Sequence, residues 1–406
     1  MKHIDYFKLL IQSRSTTELI KRVLELSFSY PLYAISSIFH RKDNRWIFGT
    51  NVGFTDNAKY LFLAVSRHSD IDACWISERS QVVQQIQSMG LKAYHKYSLH
   101  GLWYCLTAKY YIFTYHSKDI NFFTSKRAKK INLWHGVGIK KGSNDINKAM
   151  PSWVSRILFP HLYEHIDMFL STSQMMDDHF EKMFHLLPEQ IYQGMYPRCS
   201  FLMQPKENIM QHIQQYETSS IQNLINRIQK ASKVYIYMPT WRAGQSDSFL
   251  EHSGINLLQL EQLMEEQNAL FLFKLHPAIR SAHFSNKHDH IIFVDKDIDI
   301  YSILPFTSVL ITDYSSIYYD YLLMENKDII LFPYDIENYK KHSDELAFDY
   351  DIYTPGTRVY TFEELIQCIR GNIPILKERH WVLNQFWGDY LYKQDTEILI
   401  NKIQSL

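Results

Sequence analysis

The feature that most limits how this chain can fold is the way its apolar runs end. Short runs rich in aromatic and β-branched residues recur along its length: RWIFG (45–49), DACWIS (72–77), YYIFTYH (110–116), KINLWHG (130–136), MFLSTS (168–173), KVYIYMPTW (233–241), LFLFKLH (270–276), IIFVD (291–295), SVLITD (308–313) and DIILFP (328–333). Stretches with helical spacing lie between many of them, at 57–68, 206–232, 255–267, 299–304 and 315–324. A further helix over 361–371 opens with Thr361 and Glu364 in a capping-box pattern. Buried strands alternating with helices imply parallel sheets covered on both faces, an α/β fold. The series falls into two Rossmann-like halves facing across a cleft, with a boundary within 140–200. We place an N-terminal helical, membrane-proximal segment at 1–43, one Rossmann-like domain at 44–165, a second at 166–380 and a C-terminal helix at 381–406.

Length agrees with that division, since 406 residues suit two domains of ~150–200 residues each. The 43 basic and 43 acidic residues balance, so no global field recruits nucleic acid, and none is expected as a partner. Cys74, Cys105, Cys199 and Cys368 are far apart and form no CxxC or Cys/His ligand spacing. Neither a disulfide framework nor a zinc site is expected, and a reducing cytosol is the simplest setting. The uncharged run Leu26 to Phe39 is too short to span a bilayer, but it is aromatic-rich and precedes His40-Arg41-Lys42. Such a segment either lies in a membrane interface or packs on the protein's own core.

The chemistry is carried by the residues just beyond the strands. Trp134-His135-Gly136 ends one run, Pro239-Thr240-Trp241-Arg242 another, Lys274-Leu275-His276-Pro277 a third, and Thr312-Asp313-Tyr314-Ser315-Ser316 a fourth. Ligands of open α/β sheets bind at the carboxyl ends of strands, where all four clusters fall. At the fourth, two serines at the start of a helix suit an anionic group such as a phosphate. The alternative is an ordinary N-cap, in which Ser315 or Ser316 satisfies its own helix. No GxGxxG follows the first strand and no GxxxxGK[ST] occurs, which disfavours nicotinamide dehydrogenases and P-loop NTPases. No DxD or HExxH pattern suggests a metal, and no cofactor is expected. Phosphate charge would then fall to backbone dipoles, Arg198, Arg242, Lys274 and the histidines.

At these residues the chain resembles the CDP-glycerol glycerophosphotransferases, the family of teichoic-acid primases and polymerases. The resemblance is carried by WHGVGIKK (134–141), GMYPR (194–198), PTWR (239–242), KLHP (274–277) and TDYSSIYYD (312–320). FTDNAKYLF (54–62) and LAFDYDIYTPG (346–356) add to it. Val137 and Gly138 stand where the family has Thr-Pro, a departure that bears on the acceptor side. The resemblance implies a GT-B architecture, a CDP-polyol donor, and a lipid-linked or polymeric glycan acceptor. It implies catalytic roles for His135 and His276. It places nucleotide and phosphates near Arg198, Pro239, Thr240, Ser315, Ser316 and Asp320, with Trp134, Gly136, Arg242, Lys274 and Asp313 completing the substrate-binding set.

The reaction expected on that basis is attack of an acceptor hydroxyl on the β-phosphorus of the donor, with CMP leaving. Histidine has the unperturbed pKa suited to a base near neutrality, and His135 is assigned that role. His276, Arg198 and Lys274 would stabilise phosphate charge. The expected setting is the cytoplasmic face of the cell membrane, bound peripherally to an anionic surface, in the synthesis of a teichoic acid or capsule-like polymer. Two rivals are a nucleotide-sugar glycosyltransferase of the same architecture and a non-enzymatic nucleotide-binding protein.

Overall fold

Two parallel sheets account for the strand–helix alternation. The computed structural model describes residues 26–140 and 159–406 apart from 28, 241–248, 276–287, 338, 340–345 and 393–394, together with 153, 156 and 157. The first sheet is built from β1 (Lys42–Gly49), β2 (Asp72–Ser77), β3 (Ala93–His95), β4 (Ala108–Phe113), β5 (Lys129–Asn132), β6 (Met168–Ser171) and β7 (Ile191–Gln193), in the order 3-2-1-4-5-6-7. The second comprises β8 (Lys233–Met238), β9 (Ala269–Phe273), β10 (Ile291–Phe293), β11 (Val309–Thr312), β12 (Asp328–Leu331) and β13 (Thr357–Arg358), in the order 10-9-8-11-12-13. Both orders are doubly wound. Each reverses beside its first strand, between β1 and β4 and between β8 and β11, and such reversals open a crevice at the strand ends.

The division between halves lies later than the sequence suggests. β6 pairs with β5 through Ile131–Met168 and Asn132–Phe169, and β7 pairs with β6. The run 168–173 therefore belongs to the first sheet, which β7 completes, and the second begins at β8. A strand buried on both faces is apolar in either sheet, so its pattern does not say which neighbours it joins.

The C-terminal segment is two helices, Arg379–Trp387 and Thr396–Gln404, and both return to the first half. Thr172 Oγ1 donates to the Phe386 carbonyl at 2.6 Å, and Tyr110 OH donates to the Gln404 carbonyl at 3.4 Å. One buried apolar cluster accordingly runs through both halves, from Trp46 and Trp75 through Tyr196 to Tyr319 and Trp387. The stretch 299–304 forms short 3-10 turns, Ile300–Ser302 and Leu304–Phe306, where a helix was expected. At the N-terminal end, 29–35 is helical, and Lys42 already belongs to β1, two residues before the domain start expected at 44. The capping box at Thr361 and Glu364 is present.

Candidate active site

The first half presents His135 just beyond β5. Trp134 before it adopts a left-handed backbone, φ 51°. Such a conformation is uncommon for a bulky residue and needs support. Asn132 Oδ1 accepts from the Trp134 N–H at 2.8 Å, while its Nδ2 donates to the Tyr115 carbonyl at 3.0 Å. On the other side, buried Asn57 donates to the carbonyls of Leu133 and Trp134 at 3.2 and 2.9 Å. The Trp134 ring packs against Phe169, Phe180 and Phe184.

The turn sets the His135 imidazole flat on Tyr115, with ring centroids 3.9 Å apart and 16° between planes. Nδ1 lies 3.5 Å from the Thr114 carbonyl oxygen, at the end of β4. That contact favours a proton on Nδ1 and leaves Nε2 as the acceptor. Burial pushes the His135 pKa down to about 4; the Arg198 charge adds to this and Asp56 opposes it. The ring is therefore neutral near pH 7 and free to accept a proton, with a lower basicity than an ordinary imidazole.

The loop that supplies Thr114 and Tyr115 rests on two carboxylates. Asp119 accepts from the N–H groups of Tyr115 and His116 at 3.1 and 3.4 Å, and Glu164 accepts from Ser117 N and Oγ at 3.1 and 2.8 Å. Burial raises both to about 7.

The second half brings its signatures to its own switch point. Asp313, beyond β11, is fully buried and accepts the Thr240 N–H at 2.9 and 3.2 Å from its two oxygens, and the Tyr314 N–H at 2.6 Å. It ties the Pro239-Thr240 turn beyond β8 to the serine turn, so its service is internal. Ser316 begins the helix Ile317–Leu322 but makes no side-chain cap, and both Ser315 and Ser316 are half-exposed. The N-cap alternative for Ser316 is therefore not what the structure adopts. That helix has only six residues, so its dipole is a small part of any anion site. The hydroxyls are the more substantial offer.

The two ends meet. A Cβ built on Gly136 would lie 3.1 Å from Ser316 Oγ and 3.2 Å from Arg198 Nη2, and φ at Gly136 is 151°. Only a glycine allows that approach. One built on Gly138 would lie 3.3 Å from Ser316 Cβ. Further on, the Ala347 N–H donates to the Ile139 carbonyl at 2.6 Å, binding the same loop to the second half.

Two expected phosphate cations are otherwise employed. Arg198 is buried and pairs with Asp56 on one side and with Asp320 on the other, at 2.7 Å from Nη2 and 3.2 Å from Nε. Its guanidinium lies over the Tyr301 ring, whose hydroxyl also donates to Asp320. Two carboxylates already balance this charge, so Arg198 and Asp320 act as an internal clamp between halves. Lys274 donates to the backbone carbonyls of Asp295, Lys296 and Ile298 at 2.6, 3.1 and 2.8 Å, which commits all three ammonium protons. Burial lowers its pKa to about 8. Its role is to hold that loop. His276 and Arg242 lie outside the described residues.

Sequence reasoning gave no role to Asp56, Asn57, Lys59, Thr114 or Tyr115. A signal was present in FTDNAKYLF, whose three polar helix residues all reach across. Asp56 takes Arg198, Asn57 takes the Trp134 turn, and buried Lys59 pairs with Glu217 and Asp299 at 2.6 and 2.8 Å. Among the described residues, no group of three His, Cys, Asp or Glu side chains is placed to hold a metal ion.

In comparison with known proteins, the family model described as CDP-Glycerol:Poly(glycerophosphate) glycerophosphotransferase matches residues 32–374. The teichoic acid poly(ribitol-phosphate) polymerase of Bacillus spizizenii is 27% identical over 60% of this chain, and the match spans only 38% of that longer protein. The teichoic acid glycerol-phosphate primase of Bacillus subtilis is 28% identical over 69% of each chain. Among solved structures, a histidine variant of the wall teichoic acid polymerase TagF superposes with a TM-score of 0.74 at 18% identity, covering 96% of this chain and 98% of that one. At that identity the likeness speaks for the GT-B fold.

Proposed function

We propose, for a chain that belongs to the CDP-glycerol:poly(glycerophosphate) glycerophosphotransferase family, transfer of a polyol phosphate from a CDP-polyol to a hydroxyl of a cell-surface polymer acceptor, with release of CMP. Glycerol phosphate is the favoured unit. The observation that carries the reading is the convergence of the His135 turn on Ser316, where Gly136, the residue after the neutral imidazole, comes against the second of two half-exposed serines. Solved variants of the TagF polymerase include one soaked with CDPG, which supports the same class of donor here.

In the proposed reaction the acceptor oxygen forms a bond to the β-phosphorus, and the bond from that phosphorus to the CMP oxygen breaks. His135 Nε2 takes the hydroxyl proton, and the electron pair leaves with CMP. Phosphoryl transfer gains chiefly from position and electrostatics. Ser315 and Ser316 would meet donor phosphate oxygens, with the Pro239-Thr240 turn lining the nucleotide side. His276 and Arg242, adjoining the crevice in sequence, are proposed to share the phosphate charge. Arg198, Lys274, Asp313 and Asp320 hold the walls. The test is mass-tracked CMP release from CDP-glycerol, CDP-ribitol and a panel of nucleotide sugars with a short polyol-phosphate acceptor. Release from a nucleotide sugar alone would replace this reading with the glycosyltransferase one, and donor binding without release by any of them would favour the non-enzymatic one.

A lipid-linked acceptor calls for contact with an anionic membrane. Among the described residues no helix is long and apolar enough to cross one. We place the contact on Ile35, Ile38, Leu99 and Trp103, all exposed, beside Lys126 and Arg127. This revises the expected stretch. Tyr33 stacks on Phe122, Phe39 lies against Trp103, and Arg41 donates to the carbonyls of Cys105, Ala108 and Thr124, so those residues serve the fold. Wild type should pellet with anionic vesicles at low salt, and Ile38→Ser with Leu99→Ser should stay in solution while remaining folded. Equal sedimentation of the two proteins would move the contact elsewhere.

A further inference from the structure

Asn57 sits where three pieces of the crevice meet. Its side chain is completely buried. Both Nδ2 protons are used, on the carbonyls of Leu133 and Trp134, and Oδ1 accepts the Arg198 N–H at 3.3 Å. The residue before it, Asp56, has φ 68° and caps the Asn57 N–H at 2.7 Å, while the same oxygen takes Arg198 Nη1. Arg198 continues the chain of contacts to Asp320, which lies one turn along the helix that Ser316 begins. A single carboxamide thus links the left-handed turn before His135 to the clamp that fixes the serine helix.

We propose that Asn57 is a positioning residue for the transfer reaction: by holding the Trp134 turn against Arg198 it sets the His135 imidazole on Tyr115 and in reach of a donor bound at Ser315 and Ser316. This rests on the reading of His135 as the base. Donors and acceptors single out the residue type. Only an amide of this length offers two N–H groups to successive carbonyls and an acceptor on the opposite side. Serine cannot span the three partners. Aspartate keeps the acceptor but faces the two carbonyls with a third oxygen. Either change frees the turn that aims His135, and a displacement of about 1 Å can cost on the order of 100-fold in rate.

The test uses Asn57→Ser, with Asn57→Asp as the second variant should the first fail to fold. Turnover of CDP-glycerol is measured at low temperature on folded protein, CDP affinity by calorimetry, and the His135 ring C–H resonance by NMR. In wild type the stacked Tyr115 ring should displace that resonance upfield. The expected result in the variant is loss of the displacement, a fall of about 100-fold in kcat, and CDP affinity within about threefold of wild type. A role in stability alone would lower Tm and leave kcat and the resonance where they were. Unchanged kcat, or a lower kcat with the resonance still displaced, overturns the proposal, as does an ordinary resonance in wild type. His135→Ala is run alongside. If it keeps wild-type turnover, the assignment of the base falls, while the resonance still judges what Asn57 holds.

Discussion

The two strand ends that form the crevice are built on opposite plans. On the first sheet, His135 is stacked on Tyr115 and packed against Trp134, and its turn is pinned by two asparagines. On the second, Ser315 and Ser316 stand half-exposed on a helix that neither closes with a side-chain cap nor continues beyond six residues. Beneath them the backbone is fixed by Asp313, and the hydroxyls are left to the crevice. One end commits its polar groups to holding a ring in place; the other keeps them for a guest. Contacts made before a ligand arrives are thereby separated, end from end, from those that wait for it.

The histidine end is where this contrast is most exposed to refutation. His135→Ala should lower kcat by ~10²–10⁴ and leave CDP affinity close to wild type, because the ring is used in proton transfer and not in donor binding. Turnover near wild type would mean that the rigid end serves only the fold. At the other end, Ser315→Ala with Ser316→Ala should weaken CDP binding by about 150-fold or more, since hydrogen bonds to charged groups contribute ~1.5–3 kcal/mol each, two hydroxyls are lost, and the short helix draws no cap from Ser316. Its Tm should hardly move. Unchanged affinity by calorimetry would relocate the phosphate subsite.

The smallest expected effect comes through pH. An ordinary imidazole titrates at 6.5 and His135 at about 4. The base therefore stays neutral on acidification, and its own titration should change kcat/KM by less than about twofold between pH 7 and 5.5, where an unperturbed histidine would lose about tenfold. A tenfold loss would show either that the ring titrates as an ordinary imidazole during turnover or that protonation of Asp119 and Glu164, both raised to about 7, loosens the loop beneath it; Asp119→Asn separates the two, since it removes only the second dependence. The same depression acts on folding in a fixed direction. The unfolded histidine takes up its proton near 6.5 and the folded one near 4, so the stabilisation is whole above 6.5 and drains as the pH falls towards 4.

The architecture was legible because the apolar runs and the helical spacing agree at each step, and both sheets form from those runs. Three strands resisted: Ala93–His95, Ile191–Gln193 and Thr357–Arg358 are too short to show a period, while Met168–Ser171 was visible as a run but carried no mark of its sheet. The signatures at strand ends were legible as positions but less so as roles. A sequence shows that Arg198, Lys274 and Asp320 carry charge. It does not show that Asp56 and Asp320 meet Arg198 from two sides, or that three carbonyls converge on Lys274. Partners distant in sequence decide whether a charge faces a ligand or another side chain. Asn57 was harder still, since a lone asparagine near the start of a helix reads as ordinary surface, and its meaning comes from Leu133, Trp134 and Arg198, all far along the chain.

The return of the chain to the first half has a consequence for the order in which the protein is made. The helices Arg379–Trp387 and Thr396–Gln404 pack beside β6 and β4, strands finished long before them. At ~5–20 residues per second, roughly 200 residues and on the order of 10–40 s separate β7 from the segment that covers its half. During that interval the Thr172 hydroxyl lacks the Phe386 carbonyl it will bond, and the apolar surface awaiting Phe386 and Trp387 is open to whatever is near. The first half emerges first from the ribosome and is completed last, so a nascent chain halted before residue 379 should present it unfinished to chaperones and proteases.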